Sequence, residues 1–140
     1  MYQKDYILRM IEMVGDLIAA ILGRIKKGDF KQASEQLENI YYDMLKVDAA
    51  FFRVIPEEQL THKLMQEHNY TNGHLEILAE LFNAEAELEI AQGNRAGSLE
   101  YSRKSLILFE FIDAEQKRYL PERIKKMTAI KDRIAALQNR

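Results

Sequence analysis

Residues 22–37 read LGRIKKGDFKQASEQL, two stretches of helical apolar spacing that meet at Gly28 and Asp29. Upstream, Ile7, Ile11, Val14, Ile18, Ile21 and Ile25 recur at alternating steps of four and three, which predicts an amphipathic helix over about 5–27. Gly28 ends that stripe as a left-handed C-terminal residue does, with Lys26 and Lys27 beside the helix's negative end. Asp29 is placed to cap the following helix by accepting backbone N–H groups, and Phe30, Ala33, Leu37, Ile40, Tyr41 and Met44 carry that helix on toward Phe52. Gly15, Ala19 and Gly23 form a ridge of small residues, and close approach of another helix is the expected reason for it.

The same punctuation returns at Gly93 and Asn94. Between the two corners, Pro56 followed by Glu57 and Glu58 predicts a short helix to about Glu67, and HNYTNGH at 68–74 predicts a connection. A helix over about 73–92 then has Leu75, Leu78, Ala79, Phe82, Ala86 and Ile90 on one face and Ile77, Leu81, Ala84 and Leu88 on a broadly opposite one. Glu76, Glu80, Asn83 and Glu87 lie between the faces, so the helix is expected to pack on two sides and leave a polar edge. A further helix carries Leu99, Ser102, Leu106, Phe109 and Ile112. A last one, opened by Pro121, has a narrower stripe of Ile124, Met127, Ile130, Ile134 and Leu137 amid lysines and arginines, as a terminal cap would.

At 140 residues the chain suits one all-α domain, with helical pairs at about 5–53, 56–92 and 95–139. It contains no cysteine, which removes disulfide frameworks, thiolate zinc sites and cysteine nucleophiles. Acids interrupt the early apolar residues and no apolar run approaches the ~20 residues of a membrane span, so a cytoplasmic location without membrane insertion is expected. Charge is unevenly placed: residues 57–100 hold nine acids and two bases, or -7, whereas 117–140 hold eight bases and two acids, or +6. The two segments are expected to lie near one another and offset.

Residues 81–108, LFNAEAELEIAQGNRAGSLEYSRKSLIL, resemble a tetratricopeptide repeat, a unit of two antiparallel helices joined by a short glycine turn. With Gly93 as the turn glycine, Phe82 falls at the large aromatic position of the first helix and Ala86 at its small position, while Ser98 and Ser105 take the small positions of the second. The corner at Gly28 is similar, with Ala33 at the small position and Leu37 at the large one. Glu85 stands where leucine is usual, Ser102 replaces a large residue, and no proline closes the unit. The resemblance covers about half the chain and implies five to six antiparallel helices stacked as a right-handed superhelix. The alternative is an ordinary up-down helical bundle.

Catalytic motifs are missing: no Gly-x-Ser-x-Gly turn and no phosphate-cradling loop occurs, so no enzyme and no cofactor is expected. His62, His68 and His74 recur at steps of six, which scatters them around any helix and reads as surface histidines, with no metal site. The basic last helix, interleaved with Glu122 and Asp132, reads as a solvated face, with no nucleic acid as a partner. Family resemblance implies a non-catalytic scaffold that binds a protein or peptide along the first helix of each pair. On this alignment Glu76, Glu80, Asn83 and Glu87 form an acidic strip suited to a basic or amphipathic segment, and the chain's own last helix is one such segment. A helical bundle binding a small ligand or metal near the histidines is the second reading. A homodimer through the apolar flank of the first helix is compatible with both.

Overall fold

A computed structural model describes residues 2–117 and 119–139. Among them the chain forms seven α-helices, one 3-10 turn and no strand: α1 (Tyr2–Lys26), α2 (Phe30–Leu45), α3 (Ala49–Arg53), the turn Glu57–Gln59, α4 (Leu60–Glu67), α5 (Asn72–Ala91), α6 (Arg95–Gln116) and α7 (Pro121–Gln138). The count exceeds the five to six expected because the second helix breaks. Lys46 turns left-handed (φ 63°), its N–H returning to the Tyr42 carbonyl, and the chain restarts at Ala49. This break lets Phe52 and Ile55 turn inward, where both are buried.

The two glycine corners share one geometry. Gly28 has φ 79°, its N–H donates to the Ile25 carbonyl at 3.0 Å, and the Asp29 N–H donates to Arg24 at 2.9 Å. Gly93 has φ 86°, its N–H donates to Ile90 at 3.1 Å, and the Asn94 N–H donates to Glu89 at 2.8 Å. Both are Schellman ends, in which a left-handed glycine turns the chain so that its own N–H and that of the next residue satisfy late helical carbonyls. The cap that follows differs. Asn94 Oδ1 accepts from the Gly97 N–H at 3.0 Å, whereas Asp29 makes no side-chain cap and instead pairs with Arg24 at 3.2 Å. The expected Asp29 cap is therefore corrected: a guanidinium five residues upstream competes for the carboxylate and wins it.

α5 occupies the centre. It packs against α1 and α2 on one side and α6 on the other, and both apolar faces read from its sequence are buried except at Ile90, which is half-buried. Its closest neighbour is α6, where small residues bring the backbones together: Ser98 Oγ donates to the Ala86 carbonyl at 2.9 Å and Ser105 Oγ to the Ala79 carbonyl at 2.7 Å. Phe82, Ala86 and Ala33 are fully buried. α4 lies against α6. α5 starts at Asn72, one residue before the expected start, and the Thr71 hydroxyl caps it by accepting from the His74 N–H.

The small-residue ridge of α1 meets a different fate. A Cβ built on Gly15 or Gly23 would touch nothing within 4 Å, and Gly15 and Ala19 are exposed. Close approach of another helix is thus not their role within this chain. α1 buries the Val14, Ile18, Ile21 and Ile25 face, and the ridge falls away from it. No described helix is long and apolar enough to cross a membrane.

Candidate functional site

Glu76, Glu80, Asn83 and Glu87 follow one another along α5, and α7 meets every one of them. Arg123 Nη2 donates to Glu76 Oε1 at 3.1 Å, Lys126 pairs with Glu80, and Arg133 donates from Nη1 to Glu87 and from Nη2 to Asn83, each at 2.5 Å. Residue numbers rise together on both helices, so α7 runs parallel to α5 with α6 beside them. The segments of opposite charge do lie together, as the charge split suggested.

This seam is half-dry. Arg123 and Arg133 side chains are 6% and 14% exposed, and Glu80 is 10% exposed. Burial lowers the affinity of the Arg133 guanidinium for its proton while Glu87 opposes that loss, and the group stays cationic. Arg133 Nε donates to Ser102 Oγ at 2.8 Å, and Ser102 is fully buried. Below the charges, α7 buries Met127, Ile130 and Leu137, and Arg123 is buried with them, while Ile124 stays partly exposed.

A second polar cluster lies on the other side of α5, and sequence reading missed its partners. Glu85 is 3% exposed and accepts from the Tyr41 hydroxyl at 3.0 Å and from Arg53 Nη2 at 2.6 Å. Arg53 also pairs with Glu38 at 2.6 Å, and its guanidinium lies 5.7 Å from the centre of the Tyr41 ring. Burial pushes the Glu85 carboxyl above its ordinary range, and Arg53 and Tyr41 partly restrain it. Burial and the neighbouring Glu85 also raise the Tyr41 hydroxyl, and they push Tyr101 up to about 12. Tyr41 and Arg53 both donate to Glu85, and α2, α3 and α5 are tied together by the cluster. It is a clamp between three helices. Glu85 standing in a leucine position was the sequence signal for it; nothing local pointed to Arg53, 32 residues away.

The histidines do not converge on a metal. His68 meets the Phe51 ring edge-on at 4.9 Å, and His74 stacks on Tyr70 at 4.8 Å. His74 Nδ1 accepts from the Thr71 N–H at 3.1 Å, completing the box that caps α5, and burial lowers its pKa. Among the described residues no three His, Asp or Glu side chains are grouped to hold a metal ion.

His74 does border a cavity of about 950 Å3 between the N-terminal half of α1, the start of α5 and the α6–α7 corner. Gly73 keeps α1 and α5 close at its floor, where a Cβ would fall 2.1 Å from Ile7 Cγ2.

Compared with known proteins, the chain matches no family model, no curated protein and no solved structure.

Proposed function

We propose that the protein is a non-catalytic helical scaffold for protein–protein interaction, and that the α5 seam is its recognition surface, selective for a basic amphipathic helix. One observation carries this reading: a line of three carboxylates and an amide on α5 engages cations of α7 in register from Glu76 to Glu87. In this reading α7 is the occupant supplied by the chain, and a partner helix of similar charge pattern competes for its place. Two further features support a tetratricopeptide-like stack as the frame. The glycine corners have one geometry, and α5 and α7 run parallel on the same side of α6, as successive first helices do in such stacks. A cytoplasmic setting and a protein or peptide partner belong to the same proposal.

Competition is physically reasonable because α7 is lightly anchored. It buries three apolar side chains, against nine on α5, and each such large side chain contributes roughly 1.5–3 kcal/mol. The ion pairs add about 1 kcal/mol apiece at most, since one partner of each is partly solvated.

The test uses a labelled peptide with the sequence of residues 121–138 and the full chain carrying Lys126→Glu and Arg133→Glu, which repel α7 from the seam. Saturable binding is expected in that chain and is lost when Glu80→Lys and Glu87→Lys are added. Equal, weak binding to all forms would refute the reading.

A further inference from the structure

We propose that one flank of α1 is a self-association surface, on which a second copy of this chain packs its own α1 antiparallel about a two-fold axis at Met13. At 100° per residue, Tyr6, Met13, Leu17 and Ala20 fall within an arc of about 60°, and all four are exposed. The three large ones are 59%, 53% and 41% exposed. This arc adjoins the buried Met10 on one side and the exposed Arg9 and Asp16 on the other, and the ridge of Gly15, Ala19 and Gly23 lies outside it. Leu8 is exposed on the opposite flank. Elsewhere among the described residues, exposed large hydrophobic side chains lie one apiece on α2 (Tyr42), at the end of α3 (Val54), in the α6–α7 link (Tyr119) and on α7 (Ile124). Single residues of that kind are ordinary, whereas a strip along about four helical turns is a surface that soluble chains cover with a partner.

The charges that border the strip select the occupant. Arg9 and Asp16 are separated by about 10 Å of helical rise, too far to pair with each other on one helix. A second α1 laid antiparallel, with the two Met13 side chains facing on the axis, brings Tyr6 level with the partner's Ala20, large against small. The partner's Arg9 then falls level with Leu17 and one residue rise, about 1.5 Å, from Asp16. Its stem covers the leucine while its guanidinium meets the carboxylate, and the two-fold axis repeats the contact. A parallel pair would instead set Arg9 against the partner's Arg9 and Asp16 against the partner's Asp16. Opposite charges thus favour the antiparallel arrangement, whose self-complementary contact closes at two chains.

The strip ends where the chain supplies its own contacts: Arg24 continues the spacing beyond Ala20, but its guanidinium is held by Asp29 at 3.2 Å and by Gln32. One helix pair is smaller than a standard protein interface, so the dimer is expected to be reversible and to dissociate on dilution. This flank shares no residue with the α5 seam, and dimerisation does not depend on the displacement of α7.

The experiment is sedimentation velocity of the full chain at concentrations rising to about 1 mM, on the wild type, Met13→Glu, Arg9→Asp and the double variant Arg9→Asp/Asp16→Arg, with helical content followed by circular dichroism. The wild type is expected to pass from monomer to dimer as concentration rises. Met13→Glu sets two carboxylates on the axis and is expected to stay monomeric with unaltered helical content, because the position is exposed. Arg9→Asp is expected to weaken the dimer about ten-fold, through two symmetry-related repulsions, and the double variant to restore it. A wild type that stays monomeric throughout, or a dimer that persists in Met13→Glu, would overturn the surface. A double variant no tighter than Arg9→Asp would overturn the antiparallel register.

Discussion

At Glu85 a carboxylate sits 3% exposed on a helix face that is otherwise apolar. Such a group is tolerated because Tyr41 and Arg53 supply its hydrogen bonds, and removing one member leaves others unmatched. Glu85→Ala is expected to cost about 2–4 kcal/mol in urea unfolding, less than a fully buried pair because Arg53 keeps contact with solvent and with Glu38. In the double variant Tyr41→Phe/Glu85→Leu the hydroxyl and the carboxylate disappear together. Its cost is expected to fall below the sum of the single changes, and strict additivity would show the two groups to be independent. The carboxyl's raised pKa gives a sign to the pH dependence. A folded state that holds the proton more tightly gains stability below the unfolded carboxyl value, and loses it as pH rises through the raised folded value. Relative to Glu85→Gln, the wild type should therefore lose stability as pH rises through the acid range. The residue stood out in the sequence only as a glutamate where the repeat it resembles usually has leucine. Its partners did not, because Arg53 and Tyr41 reach it only once α3 has folded back from α2.

The elements divide according to where their information lies. Both glycine corners were legible because a left-handed residue after an amphipathic stripe is a local signal. The two-sided character of α5 was legible because periodicity is local too. Gly28→Ala and Gly93→Ala should each cost about 1 kcal/mol in thermal or chemical unfolding. Neither site has an atom within 4 Å of the new methyl, so the cost is backbone strain alone, and asparagine should recover part of it. By contrast, the break at Lys46 carries no glycine or asparagine. It is set from a distance by burial of Phe52 and Ile55 and by the Tyr70 hydroxyl, which donates to the Leu45 carbonyl at 2.9 Å. The start of α5 adds a pH effect of opposite sign to that of Glu85. Burial depresses the His74 pKa, so its contribution is complete above the ordinary histidine value of about 6.5 and is lost as pH falls through the lower folded value. His74→Ala should flatten the decline of melting temperature over that window.

At the scale of the whole molecule, the charge split between residues 57–100 and 117–140 foretold that α7 would return to α5, and composition could say no more than that. The pairing itself, Arg123 to Glu76 and Arg133 to Glu87, depends on α6 setting the parallel register between them. The ridge on α1 illustrates the converse limit. A pattern of small residues fixes that a helix can be approached, and only the packing shows which face the core has taken.

The central claim is that α7 is a separable occupant of the α5 seam, held in part by charge. Amide hydrogen exchange followed peptide by peptide tests it directly. The account predicts that α7 exchanges well before α5 and α6, that added salt speeds it by screening the seam, and that Glu80→Lys/Glu87→Lys speeds it further while α5 stays protected. Exchange of α7 in step with α5, at low and high salt alike, would contradict it by showing α7 to be an integral part of one cooperative core.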